Sequence, residues 1–198
     1  MATLWYDNRS QTLNGIEATA VYVKNNDIFI CVNIVNGAAL LLKNNGSLTQ
    51  PSFTATSLGT TVSNALSISK QDNDTFIAGN SVENGTSNAR IWKNLTSTQP
   101  FENKTVIFSV FALGQNIYAC GEKIINITGK AILWKNNEPT VLSQNHSLAY
   151  SVFATATNVY VAGFDNENSL IACVWKDGII QKLSTSPSIA KSVFVTEK

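Results

Sequence analysis

Apolar residues along the chain fall in runs of four to six, separated by Asn, Asp, Gly or Ser. The runs are rich in Val, Ile, Phe, Tyr and Trp, and this length and composition predict β-strands. No segment sustains a helical period, so almost no helix is expected. The runs also repeat. Ala89-Arg90-Ile91-Trp92-Lys93-Asn94 returns as Ala131-Ile132-Leu133-Trp134-Lys135-Asn136 and as Ala172-Cys173-Val174-Trp175-Lys176-Asp177. Their tryptophans are 42 and 41 residues apart. The chain opens with a fourth copy, Ala2-Thr3-Leu4-Trp5-Tyr6-Asp7, and Ala39-Leu40-Leu41-Leu42-Lys43-Asn44 is a fifth, with Leu in the Trp place.

Two further segments keep the same period. Ser109-Val110-Phe111 matches Ser151-Val152-Phe153 and Ser192-Val193-Phe194, with weaker copies at Ala20-Val21-Tyr22 and Ser67-Ile68-Ser69. Ile117-Tyr118-Ala119-Cys120-Gly121 matches Val159-Tyr160-Val161-Ala162-Gly163 and Thr75-Phe76-Ile77-Ala78-Gly79, and Ile28-Phe29-Ile30-Cys31-Val32 is the fourth copy. Asn116, Asn158 and Asn26-Asp27 fall between these two segments, where a hairpin turn is required. Asn44-Asn45-Gly46, Asn136-Asn137 and Asp177-Gly178 follow the Trp segment and suit turns with positive φ. A short fourth strand is expected around Leu13, Leu142 and Leu183, each eight residues after its Trp.

One repeat is therefore about four short antiparallel strands in about forty-two residues, which is the signature of a propeller blade. A lone four-stranded sheet cannot hide both faces, whereas radial stacking buries each sheet against the next. The expected fold is all-β: a single β-propeller domain over residues 1–198, with about five blades. Its repeats run approximately 2–38, 39–88, 89–130, 131–171 and 172–198. A distorted blade is expected in 38–88, where Leu42 replaces Trp and an insert runs from Gln50 to Thr61.

The pattern A-x-x-W-K-N-G, L-S, S-V-F-V, V-Y-V-A-G resembles uncharacterised bacterial β-propeller repeat proteins. The resemblance spans the chain and is strongest from Ala89 to Val195; it implies a fold and no activity. In repeat count the chain is also similar to five-bladed lectins of the tachylectin-2 type, without their sugar-binding motif.

The Trp and S-V-F segments each occur five times but the V-Y-V-A-G segment only four. If S-V-F is innermost, one blade takes its inner strand from the C-terminus and its outer two from the N-terminus, and lacks a second strand. Three outcomes fit: closure with a three-stranded or rearranged blade, an open arc that pairs with another copy, or a marginally stable fragment of an ancestral propeller. Termini sharing a blade would remove free edges.

Composition narrows the function classes. Lys plus Arg is 14, Asp plus Glu is 13, and the net charge is +1. That balance offers no general field for nucleic acid or anionic membrane and little protection against self-association, so a homo-oligomer through the incomplete blade fits. Asn is about one residue in nine, which suits tight turns and also follows from AT-rich codon usage. The N-terminus has no basic region followed by an apolar stretch, which favours the cytoplasm, or export without a cleavable signal peptide. Asn8, Asn45, Asn73, Asn84, Asn94, Asn103, Asn126 and Asn145 open N-x-S/T triplets, which chance explains in so Asn-rich a chain. Cys31, Cys120 and Cys173 are too few and too widely spaced for a disulfide framework or zinc motif, and read as small buried hydrophobes.

Catalytic signatures are missing from the sequence: no G-x-S-x-G, H-E-x-x-H, P-loop or G-x-G-x-x-G occurs. The one histidine, His146, is placed in a surface loop from Ser143 to Ser147, without a ligand cluster. Glu83, Glu122, Asp165 and Glu167 are placed in loops after the V-Y-V-A-G strand, as solvated carboxylates. The tryptophans read as core rather than a sugar platform. Lys43, Lys93, Lys135 and Lys176 read as solvated strand-end cations rather than a basic ring. No cofactor, metal site or catalytic residue is expected. The reading is a non-catalytic binding or scaffold module using one propeller face for a protein or glycan partner. The alternatives are a glycoside-acting hydrolase with its site at the axis, and a degenerate repeat protein without selected activity.

Overall fold

The structure is a computed structural model that describes residues 1–47, 49, 51–83, 85–97, 101 and 104–196. Every helix or strand assigned among them is a strand. The chain forms two compact units, residues 1–100 and 101–198.

The first unit opens with a two-stranded antiparallel sheet, β1 (Thr3–Tyr6) and β2 (Arg9–Thr12). Two four-stranded antiparallel meanders follow. The first is β3 (Glu17–Lys24), β4 (Asp27–Asn33), β5 (Leu40–Asn44) and β6 (Phe53–Ser57). The next is β7 (Ser63–Gln71), β8 (Asp74–Glu83), β9 (Thr86–Lys93) and β10 (Thr96–Ser97). The second unit contains two more: β11 (Thr105–Leu113), β12 (Asn116–Ile125), β13 (Thr128–Lys135) and β14 (Glu138–Val141), then β15 (His146–Ala154), β16 (Val159–Asn166), β17 (Leu170–Lys176) and β18 (Ile179–Lys182). In each four-stranded sheet the S-V-F segment or its counterpart comes first, then V-Y-V-A-G, then A-x-x-W, then a short last strand.

Some expectations hold and others are corrected in detail. The short fourth strand falls where expected, ending at Thr12, Val141 and Lys182, with Leu13, Leu142 and Leu183 one residue beyond it. The leucine closes the ladder: its N–H donates to the carbonyl of the alanine that opens the A-x-x-W segment. Those bonds are Leu13 to Ala2 at 2.9 Å, Leu58 to Ala39 at 2.9 Å, Leu142 to Ala131 at 2.9 Å and Leu183 to Ala172 at 2.8 Å. Leu58 shows that the insert near residue 50 only lengthens one hairpin. The ladder from Leu40↔Ser57 to Asn44↔Phe53 is regular, so that sheet is not distorted. Gln50, the start of the expected insert, lies outside the described residues. Asn116 and Asp27 begin strands; the positive φ of their hairpins falls at Gly114 (62°) and Asn25 (56°).

Packing between consecutive sheets within a unit repeats one contact. Trp92 packs with Ala39 and Leu58 of the preceding sheet, and Trp175 with Ala131 and Leu142. Leu42, in the Trp place, packs with Ala2 and Leu13. Each buried indole removes about 150–250 Å² from water, worth roughly 4–6 kcal/mol before entropy is charged. Trp92, Trp134 and Trp175 are 2%, 3% and 0% exposed, as core tryptophans should be, whereas Trp5 is 74% exposed.

The glycine of V-Y-V-A-G has its own cause. The first strand of each sheet carries a register shift, between Ala65/Ser67, Ile107/Ser109 and Ala149/Ser151. At that bulge a backbone carbonyl lies over Gly79, Gly121 or Gly163, where an added Cβ would sit 1.9, 1.8 or 2.0 Å from the oxygen. The sheet β3–β6 has Val32 at this place, opposite Ala18 across the same kind of shift. In the second unit the first strands are also tied to one another. Val152 N–H donates to Ser109 Oγ at 3.3 Å, and Val193 N–H to Ser151 Oγ at 3.2 Å. Phe111, Phe153 and Phe194 form a row, the first pair tilted and the second edge-to-face, at centroid distances of 4.5 and 5.1 Å. The last S-V-F copy thus continues the pattern without a sheet of its own.

Candidate functional site

The hairpin between the first and second strands of a sheet and the turn after its Trp strand share one end of the sheet, and a single constellation recurs there. The Asn or Asp two residues after the Trp place accepts the N–H of the first or second residue of the second strand. Asn44 accepts from Ile28 at 2.8 Å, Asn94 from Thr75 at 2.9 Å, Asn136 from Ile117 at 2.8 Å and Asp177 from Val159 at 2.8 Å. Asn94, Asn136 and Asp177 do this at φ of 50°, 51° and 49°, a conformation that Asn and Asp tolerate. Their successors Leu95, Asn137 and Gly178 also have positive φ, which gives the mirror-image turn that suits strand twist.

The lysine between the Trp place and this Asn or Asp lies across the ladder from an aromatic residue. The pairs are Phe29↔Lys43, Phe76↔Lys93, Tyr118↔Lys135 and Tyr160↔Lys176. Each ammonium sits over the ring, at 5.4, 5.5, 5.8 and 5.7 Å from its centroid. These lysines are thus exposed strand-end cations, as expected, each also lying over an aromatic ring.

In the first unit this end opens into a polar cleft of about 500 Å³, lined by Lys24, Asp27, Phe29, Lys43, Lys70 and Asp72 among others. Lys70 donates to Thr75 Oγ1 at 2.6 Å and lies 4.3 Å from the Phe29 centroid, so two ammonium groups share one ring. Burial, then the neighbouring Lys43 charge, pulls the Lys70 amine below the ordinary lysine range; Asp27 and Asp74 pull the other way. Lys43 also pairs with Asp27 at 3.8 Å. Next to it, Lys93 at 2.7 Å and Asn94 at 2.7 Å hold the Asp74 carboxyl below the usual carboxylate range. The cleft therefore presents three ammonium donors beside two carboxylate acceptors, a set that can bind an anionic group or a row of hydroxyls.

Lys24 and Lys70 were not legible as site residues from their own motif. The signal was a departure from the repeat. Lys70 pairs with Thr75 where the other sheets pair Val23, Ala112 and Ala154 with Ile28, Ile117 and Val159.

The other candidates do not assemble. Glu83, Glu122 and Asp165 lie within strands rather than in loops. Glu83 pairs with Arg90, and Glu167 with Lys182 at 2.9 Å. Asp165 is 3% exposed and accepts from Ser143 Oγ and, at 2.9 Å, from Asn145, so it is a buried, satisfied carboxylate rather than a solvated one. His146 begins β15 instead of lying in a loop; it is exposed, edge-on to Phe164 at 5.5 Å. All three cysteines are free and buried, and burial pushes the Cys31 and Cys173 thiols up to about 12 and Cys120 higher still. Among the triplet asparagines, Asn8, Asn94 and Asn126 are turn residues with positive φ, and Asn84 and Asn103 lie outside the described residues. Among the described residues no group of three or more His, Cys, Asp or Glu could hold a metal ion, and no helix is long and apolar enough to cross a membrane. No protein-family model matches the chain, and no curated protein matches it.

Proposed function

We propose that the chain is a β-propeller of about five blades, one shared by its termini, that acts as a non-catalytic binding or scaffold module. It is similar in this reading to bacterial propeller repeat proteins. Its binding face is the turn end of the sheets, and a polypeptide partner is favoured over a glycan. The observation that carries this is the recurrence of the lysine–aromatic–Asn/Asp constellation in all four four-stranded sheets, with an open polar cleft where Lys24, Lys43 and Lys70 converge. Repeated identical sheets bury one another's apolar faces and leave their turns to vary, which is where binding residues concentrate. The hydrolase alternative is disfavoured because Glu83 and Glu167 pair with cations of their own sheets and Asp165 is buried against Ser143 and Asn145 of the preceding loop.

A peptide array and a glycan array probed with the full chain and with Lys70→Ala test the reading. Binding on either array that Lys70→Ala weakens supports it. Background signal on both, or binding indifferent to the substitution, refutes it.

A further inference from the structure

We propose that the outer edge of β1 is an acceptor for an extended segment of a partner polypeptide, added as an antiparallel strand. The other four strands of its type, β5, β9, β13 and β17, each lie between two neighbours, whereas among the described residues β1 is bonded only to β2. Three features prepared for a second neighbour are unused there. Trp5 is 74% exposed, while its counterparts are at most 3% exposed. Asp7 has φ 43°, close to Asn94, Asn136 and Asp177, yet its carboxylate has no hydrogen bond among the described residues. In every other copy that side chain accepts a backbone N–H near the start of the adjacent strand. Finally, an apolar cleft of about 210 Å³ lies beside β1, lined by Leu4, Trp5, Leu13, Ala20, Val21 and Ile30 among others.

The chain itself specifies what fits. Opposite Trp92, Trp134 and Trp175 stand Ile77, Ala119 and Val161, each preceded by an aromatic residue. The occupant is therefore a segment of about six residues with a free N–H to place on Asp7, an aromatic opposite Tyr6, and a branched or small residue opposite Trp5. Main-chain bonds supply affinity and alternate side chains supply selectivity, as in other strand additions. This goes beyond the turn-face reading and does not depend on it.

The test uses a synthetic peptide copying residues 158–166, Asn-Val-Tyr-Val-Ala-Gly-Phe-Asp-Asn, titrated into the full chain. Binding should shift tryptophan emission to the blue, and Trp5→Phe should abolish that shift. Asp7→Ala should weaken binding about tenfold, the effect of losing one charge-assisted hydrogen bond. The same peptide with proline in place of its fourth residue, Val161, should not bind. No shift at millimolar peptide, or a shift that survives Trp5→Phe, overturns the proposal. So does sedimentation showing a dimer whose Trp5 is already shielded, which would assign the edge to a second copy.

Discussion

Replacing Asn136 separates the two jobs of the turn residue. Its Oδ1 accepts the Ile117 N–H at 2.8 Å, its Nδ2 donates to Asn116 at 2.9 Å, and its backbone sits at φ 51°. Asn136→Ala removes both side-chain bonds. They lie at an exposed turn, so water takes over part of the lost bonding, and the net loss is about 1 kcal/mol. Alanine must also hold the left-handed conformation, at a further cost of roughly 1–2 kcal/mol. The total is about 2–3 kcal/mol. Asn136→Gly escapes the conformational cost and should lose only about 1 kcal/mol. Asn136→Asp should be nearly neutral, since Asp177 in the same place accepts from the Val159 N–H and from Asn158 Nδ2, both at 2.8 Å, an arrangement that a turned Asn116 amide reproduces. Equilibrium urea unfolding, followed by tryptophan emission, gives the three differences from midpoints at a common slope. An alanine variant within about 0.5 kcal/mol of wild type would refute the reasoning. So would a glycine variant as unstable as the alanine one.

Other outcomes follow from the same geometry. Gly121→Ala should cost about 2–3 kcal/mol, because its Cβ would meet the Val106 carbonyl at 1.8 Å and backbone must move; thermal unfolding reads this, and a melting point unchanged from wild type contradicts it. Trp175→Ala should cost roughly 3–5 kcal/mol, while the same change at Trp5 should cost under about 0.5 kcal/mol, a contrast that denaturant midpoints resolve. Thiol reagent at pH 8 should leave Cys31, Cys120 and Cys173 unlabelled until denaturant is added, and rapid labelling of the folded chain would show that they are not buried. The Asp74 carboxyl should titrate below the ordinary value of about 3.9. Its stabilising contribution is present above that value and fades as pH falls through the lower folded one. Lys93→Met should raise the midpoint seen by carboxyl-carbon NMR.

The periodic motifs made the architecture readable. Trp spacing marked the third strand, the Gly of V-Y-V-A-G marked the second, and the order of strands within a sheet followed from their sequence order. The cysteines were readable as core because they are too few and too widely spaced for a disulfide or zinc framework and fall within the apolar strand segments. Less was readable where a residue acts across the ladder. Asn136 looked like a turn former, but its second role, binding a strand that precedes it by some twenty positions, depends on pairing that no local pattern encodes. The bulge at Ile107/Ser109 is a backbone event, visible only through the Gly121 it requires. Trp5 shares the motif of three core tryptophans and differs only in its neighbours. Lys70 was hidden because repeat analysis rewards agreement, and its interest lies in disagreement.

The row of phenylalanines and the serine-to-valine bonds in the second unit carry a further consequence. The surface that Ser109 and Phe111 offer to Val152 and Phe153 is the one that Ser151 and Phe153 offer to Val193 and Phe194. Donor and recipient sides of this joint are interchangeable, so a tandem duplication of residues 105–145 would insert between existing modules without creating a mismatched seam. A gene built this way can lengthen or shorten by whole units, and selection need only tune the ends.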